Sequence, residues 1–192
     1  MNKIFIISLI INCFLFSNTN WEVLRDKDVL IKAFIGDYPH CRAELLINYP
    51  MDRVLDVIED VGNYKSFFSS IVISDINEFN EVRLAINMPF PFTDRDYTVK
   101  FKRLEDNNSI SYLYEPIITQ SFPEDRKYIR LIDARGGWTL VSIDNNSTLV
   151  MYDWNGDMRG NFPSWAYNKA WIRQGSEIML DLREEINKRN AK

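Results

Sequence analysis

The sequence predicts an α+β fold in which a curved antiparallel β-sheet wraps around one long C-terminal α-helix. Three observations carry this. In Phe162 to Arg189, the residues Trp171, Ile172, Gly175, Met179, Leu182 and Ile186 recur three and four apart, which is one face of a long helix. Almost everything before it falls into short β-branched or alternating runs. The exception follows the second strand, where Tyr49-Pro50 opens a short helix. A lone amphipathic helix after a run of strands buries its stripe by lying against the sheet.

Taken in order, the folded part starts near Trp21. WEVLRDKD reads as a short helical lead-in anchored by Trp21. Val29 to Ile35 is a strand, followed by a GDYP turn at Gly36 to Pro39. Cys41 to Asn48 is a strand with Ala43, Leu45 and Ile47 on one face. The short helix carries Met51, Val54, Leu55 and Ile58 and ends by Gly62. Asn63 to Ser70 reads as a loop whose Phe67 and Phe68 are either tucked under the domain or form a lid or contact surface. Ile71 to Ile76 and Val82 to Met88 are strands, and MPFPFTDRD is a proline-broken corner. Tyr97 to Glu105 alternates Tyr97, Val99 and Phe101 with polar residues, and Ile110 to Tyr114 places Ile110, Tyr112 and Tyr114 on one face. Pro116 to Asp125 is irregular. Lys127 to Ile132, Gly137 to Ile143 and Leu149 to Trp154 complete the strands, with Gly136-Gly137 read as turn chemistry. Ser164 can cap the long helix, and Lys188 and Arg189 suit the negative end of its dipole. Gly175 costs about 1 kcal/mol against alanine in a helix interior. It marks either close packing against a strand or space for a guest.

The chain has 192 residues, 46% of them hydrophobic, which suits one domain with a real core. A net charge of −4 argues against a nucleic-acid partner, which needs a basic face. Of the two cysteines, Cys13 sits in the N-terminal apolar run and Cys41 opens a strand. No internal disulfide is expected, and Cys41 reads as a small buried hydrophobe. Lys3, the apolar run Ile4 to Phe16 and the small polar residues Ser17 to Asn20 form the three-part pattern of a secretory signal peptide. Residues 1–20 are therefore expected to be a signal peptide, with an uncleaved anchor as the alternative. Residues 21–192 are expected to form an exported domain, periplasmic or extracellular.

Three stretches resemble the START-related lipid-transfer domain, a helix-grip fold of the Bet v 1-like group with a bacterial-type signal peptide here. They are CRAELLINYPMDRVLDVIEDVGNYKSFF, PFPFTDRDYTV, and GGWTLVSIDNNSTLVMYDWNGDMRGNFPSWAYNKAW. The likeness spans roughly Trp21 to Ile186. It implies an apolar tunnel between sheet and helix, with the helix as its gate or floor. The ligand residues it implies are Val82, Leu84, Ile86, Tyr97, Val99, Phe101, Tyr112 and Tyr114 from the strands, and Trp171, Gly175 and Met179 from the helix. Two departures stand out. Phe67 or Phe68 occupies the place where many members have tryptophan. Val82 and Phe101 stand where sterol carriers tend to place an acid and an arginine, so no sterol-hydroxyl anchor is carried over. Arg95 and Asp96 match the family's Arg-Asp pair and read as a structural ion pair or turn lock.

The chemistry of the residues points to binding. His40 is the only histidine and sits in a turn, which leaves little for a catalytic triad or a zinc site. No metal or cofactor is expected. Asp153, Asp157 and Glu177 read as caps and surface charges, and Arg126 to Arg130 as a solvated strand face with membrane-headgroup contact as a minor role. The leading expectation is a monomeric, non-enzymatic binder, and carrier, of a lipid or other hydrophobic small molecule, with transient membrane contact. One alternative is a helix-grip enzyme, cyclase- or hydrolase-like, using Tyr112, Tyr114 and Asp153. Another is a cavity-free interaction domain, favoured by a cavity below about 300 Å³.

Overall fold

The computed structural model of the chain describes residues 21–34, 40–155, 159 and 164–191. The expected signal peptide, the GDYP turn and most of the segment leading into the long helix lie outside these residues. Strands β1 (Trp21–Asp26), β2 (Leu30–Phe34) and β3 (His40–Ile47) come first. Helix α1 (Met51–Ile58), a 3₁₀ turn and helix α2 (Tyr64–Phe67) follow. Then come β4 (Ile71–Ile76), β5 (Val82–Ile86), β6 (Arg95–Asp106) and β7 (Ser109–Pro116). The short β8 (Ile129–Arg130), β9 (Gly136–Asp144), β10 (Ser147–Asn155) and helix α3 (Ser164–Asn190) complete the fold.

The strands make one curved, unclosed sheet in the order β1-β2-β3-β10-β9-β7-β6-β5-β4. Neighbours along that path are antiparallel, and β8 pairs with β6 in parallel. Strand alternation sets its inner face: Cys41, Ala43, Leu45 and Ile47 of β3 are buried, opposite Trp154, Tyr152, Val150 and Thr148 of β10. Helix α3 lies on that face and buries Trp171, Ile178, Met179, Leu182 and Ile186. Removing each such side chain from water is worth about 2 kcal/mol, which outweighs the weak helix propensity of Gly175.

Four local expectations are corrected. WEVLRDKD is strand β1, not a helix; Trp21 does anchor it, but by packing edge-on against Phe34 and His40 of the next strands. Asn63 to Ser70 is mostly helical, because Tyr64 is drawn into the core and donates its hydroxyl to the Ile58 carbonyl. The strand expected over Lys127 to Ile132 shrinks to two residues, Ile129 and Arg130, which run beside Arg95 and Asp96 of β6. Gly136 and Gly137 lie inside β9, paired on both sides, and not in a turn. Gly137 has φ of 149°, and a side chain there would collide with the Tyr112 carbonyl and Leu113 of β7. Cys41 is a buried free thiol at the centre of the sheet, its pKa raised by burial.

Candidate functional site

The site expected from the sequence is the space between α3 and the inner face of the sheet. Val82, Leu84 and Ile86 of β5, Tyr97 and Val99 of β6, Tyr114 of β7, and Trp171 and Met179 of α3 are all buried there. Phe101 and Tyr112 are half-buried and stack on each other at 4.7 Å. Gly175 does not open onto a void. A Cβ on it would stand 2.7 Å from Ile31 Cδ1, 2.9 Å from Trp154 Cη2 and 3.3 Å from Ala43 Cβ. The glycine is there because the helix crosses the sheet in contact with β2, β3 and β10, where Ala33, Cys41 and Ala43 keep the surface low.

Two small clefts adjoin between α3 and the sheet, an outer one at the corner after β5 and an inner one among the tyrosines. The outer one is walled by Asn87, Met88, Pro89, Arg173 and Glu177. The inner one is lined by Tyr97, Tyr114, Tyr152 and Trp154. Ile86 and Gln174 line both, so they form the partition between them. Each cleft holds about 20 Å³, room for roughly one water molecule. Each volume lies far below the ligand range.

Tyrosine hydroxyls gather around the inner cleft. Tyr114 Oη and Tyr152 Oη are 3.3 Å apart. Tyr114 reaches this position over Gly136, its register partner on β9, where a Cβ would stand 2.7 Å from the hydroxyl. Tyr152 packs between Trp138, at 4.4 Å, and Trp154, at 5.1 Å. Burial pushes the Tyr64, Tyr97 and Tyr114 phenols well above 10, with neighbouring tyrosines adding to it, and pushes Tyr152 up to about 12. These groups are neutral hydrogen-bond donors at physiological pH. The indole Nε1 atoms of Trp154 and Trp171 are buried without a hydrogen-bond partner.

Charge is kept outside. Asp153 points to the opposite face of β10 from Tyr152 and is held by Arg42 at 2.7 and 3.1 Å, so the constellation of Tyr112, Tyr114 and Asp153 does not assemble. Arg95 and Asp96 do not pair with each other, since adjacent strand residues face opposite ways. Arg95 donates to the carbonyls of Thr93 and Arg159. Asp96, fully buried, receives Arg83 and Arg130, each at 2.8 Å. Arg130 is thereby withdrawn from the solvated strand face expected for it. Among the described residues no group of three or more His, Cys, Asp or Glu side chains could hold a metal ion.

Tyr152, Trp154 and Gln174 are functional candidates beyond those expected. The alternation of Val150, Tyr152 and Trp154 in LVMYDW was the available signal for the first two; Gln174, a polar residue beside the apolar stripe, carried none.

Comparison of the sequence with family models and with curated proteins gives no match. The fold has clear relatives. A STAR-related lipid transfer protein from Xanthomonas axonopodis superposes with a TM-score of 0.75 at 20% identity, over 87% of this chain and 98% of that one. Human StAR-related lipid transfer protein 5 gives 0.79 at 15% identity, over 90% and 89%. An aromatase/cyclase from a Streptomyces species gives 0.54 at 16% identity, over 78% and 94%. The chain is a START-like helix-grip domain in its fold.

Proposed function

We propose that this domain binds, and carries, a hydrophobic small molecule of the lipid class between α3 and the sheet, without catalysing a reaction. The observation that carries this is the pair of adjoining clefts, the inner one beside a buried hydroxyl cluster and an unpartnered indole N–H. A core built only for stability pairs its polar groups or omits them. The ligand's apolar part would displace Ile86 and Gln174 and be held at about 25 cal/mol per Å² of buried surface. The non-catalytic reading is supported by the uncharged character of the described residues that line the inner cleft. Phe90, almost wholly exposed beside the outer cleft, suits transient contact with a membrane during loading. Export and a monomeric state belong to the same proposal, on the strength of the N-terminal sequence pattern and the single compact core.

One observation favours a second reading. Clefts of about 20 Å³ are what a packed interaction domain would have. Native mass spectrometry of residues 21–192, with organic extraction of what co-purifies, separates the two. A stoichiometric lipid, lost when Ile86→Trp fills the partition, is the expected result. A clean protein mass that stays unchanged after incubation with mixed lipids would leave the packed domain.

A further inference from the structure

We infer that the inner cleft selects ligands whose leading end is uncharged and accepts hydrogen bonds, such as an ester or ketone oxygen, over free carboxylates and plain hydrocarbons. This rests on the binding function proposed above and gives it a ligand class. The aromatic groups around the cleft offer hydrogen-bond donors and carry no charge. Tyr97, Tyr114, Tyr152 and Trp154 line it, and all are at least nine-tenths buried. Trp154 can only donate, and its Nε1 has no partner. A buried donor left unpaired costs about 1–3 kcal/mol, which an acceptor on the ligand would remove. The Tyr114 and Tyr152 hydroxyls share one 3.3 Å contact, so one of their two protons is free to point at a guest.

Of the two amides that line the cleft, that of Asn155 is already engaged: it receives the Arg135 N–H and donates to the Asp133 carbonyl, pinning the turn before β9. The other, Gln174, stands in the partition that the ligand would displace. A hydrocarbon end would leave the indole N–H unmet. A carboxylate would meet donors but no counter-charge among the described residues that line the cleft. Arg95 lies on the same strand face as Tyr97, but its guanidinium is directed to the Thr93 and Arg159 carbonyls and lines neither cleft. Desolvating a carboxylate without a cation is far costlier than desolvating an ester.

The test uses three probes of equal chain length: methyl dodecanoate, dodecanoate and dodecane. Binding to residues 21–192 is measured in mildly alkaline buffer by native mass spectrometry and by tryptophan fluorescence. The ester should bind at least about tenfold more tightly than either competitor. Trp154→Phe keeps the ring but removes the donor. It should cut the preference for ester over alkane by about tenfold. Tyr152→Phe, a second and independent variant, should lower it in the same direction, with thermal melting confirming that both fold. Equal binding of ester and alkane, or a ratio unmoved in both variants, would overturn the donor assignment. Dodecanoate binding as tightly as the ester, and losing that affinity in Arg95→Gln, would overturn the neutral selectivity and point to Arg95. If no probe binds at all, the binding function itself falls, and this inference with it.

Discussion

At the scale of single residues, Gly175 decides how close helix and sheet can come. Its helix propensity argues for alanine, by about 1 kcal/mol. The packing argues the other way: the new methyl would press on Ile31 Cδ1, a flexible end, and on Trp154 Cη2, the edge of a rigid ring. Overpacking of this kind costs about 1–3 kcal/mol. Gly175→Ala should therefore destabilise the domain by a net of about 1 kcal/mol, read from urea unfolding. A stabilised variant would mean that there is slack beneath the helix, and so the guest space that the glycine could equally have marked. The sequence alone left both readings open because spacing places Gly175 on the inner stripe but says nothing about the height of the surface beneath it. That height is set by Ile31, Ala43 and Trp154, on three strands far from it in sequence. Asp96 teaches the same lesson. The Arg95-Asp96 dipeptide is visible as a motif, but the partners of its acid, Arg83 and Arg130, come from strands β5 and β8.

At the scale of elements, α3 is held unevenly. Its C-terminal half buries Ile178, Met179, Leu182 and Ile186 almost completely. There Asp181 accepts the backbone N–H and the hydroxyl of Ser69, both at 2.7 Å, and Arg189 reaches Asp60 at 2.7 Å. Its N-terminal half has more half-buried apolar residues, Tyr167, Ala170 and Ile172 against Leu180 alone, and walls the outer cleft through Ala170, Arg173 and Gln174. The segment after α1 is locked as well, since Phe68 is buried against Trp138 and Ser69 is tied to α3. Of α3 and the segment after α1, the helix is thus the better placed to move, and only its first half. Amides of residues 166–174 should exchange with deuterium faster than those of residues 178–188 by native-state hydrogen exchange. Uniform protection along α3 would move the opening to the β5–β6 corner. The helix, its inner stripe and most strands were legible from periods of 3.6 and 2, which are local. The β1 strand was not, because an edge strand of mixed polarity has no strict alternation and owes its form to the neighbour it pairs with.

At the scale of the whole molecule, the sheet and α3 close over phenols that must stay protonated. The Tyr64, Tyr97 and Tyr114 pKa values lie well above 10, chiefly through burial, and Tyr152 is pushed up to about 12. In the unfolded chain the same phenols ionise near 10. Folding therefore raises their affinity for the proton. The stability that these groups contribute is fully present below pH 10 and is lost as the pH rises through the folded values. Urea midpoints should fall steadily above pH 10, and the tyrosinate absorbance of the buried set should rise only as the far-ultraviolet circular dichroism is lost. Tyr152→Phe and Tyr114→Phe should each flatten the alkaline fall, since each removes one such proton from the linkage. Titration of the buried tyrosines Tyr97, Tyr114 and Tyr152 near 10 with the sheet still folded would mean that water reaches the inner cleft freely, and its donors could not then impose selectivity on a ligand.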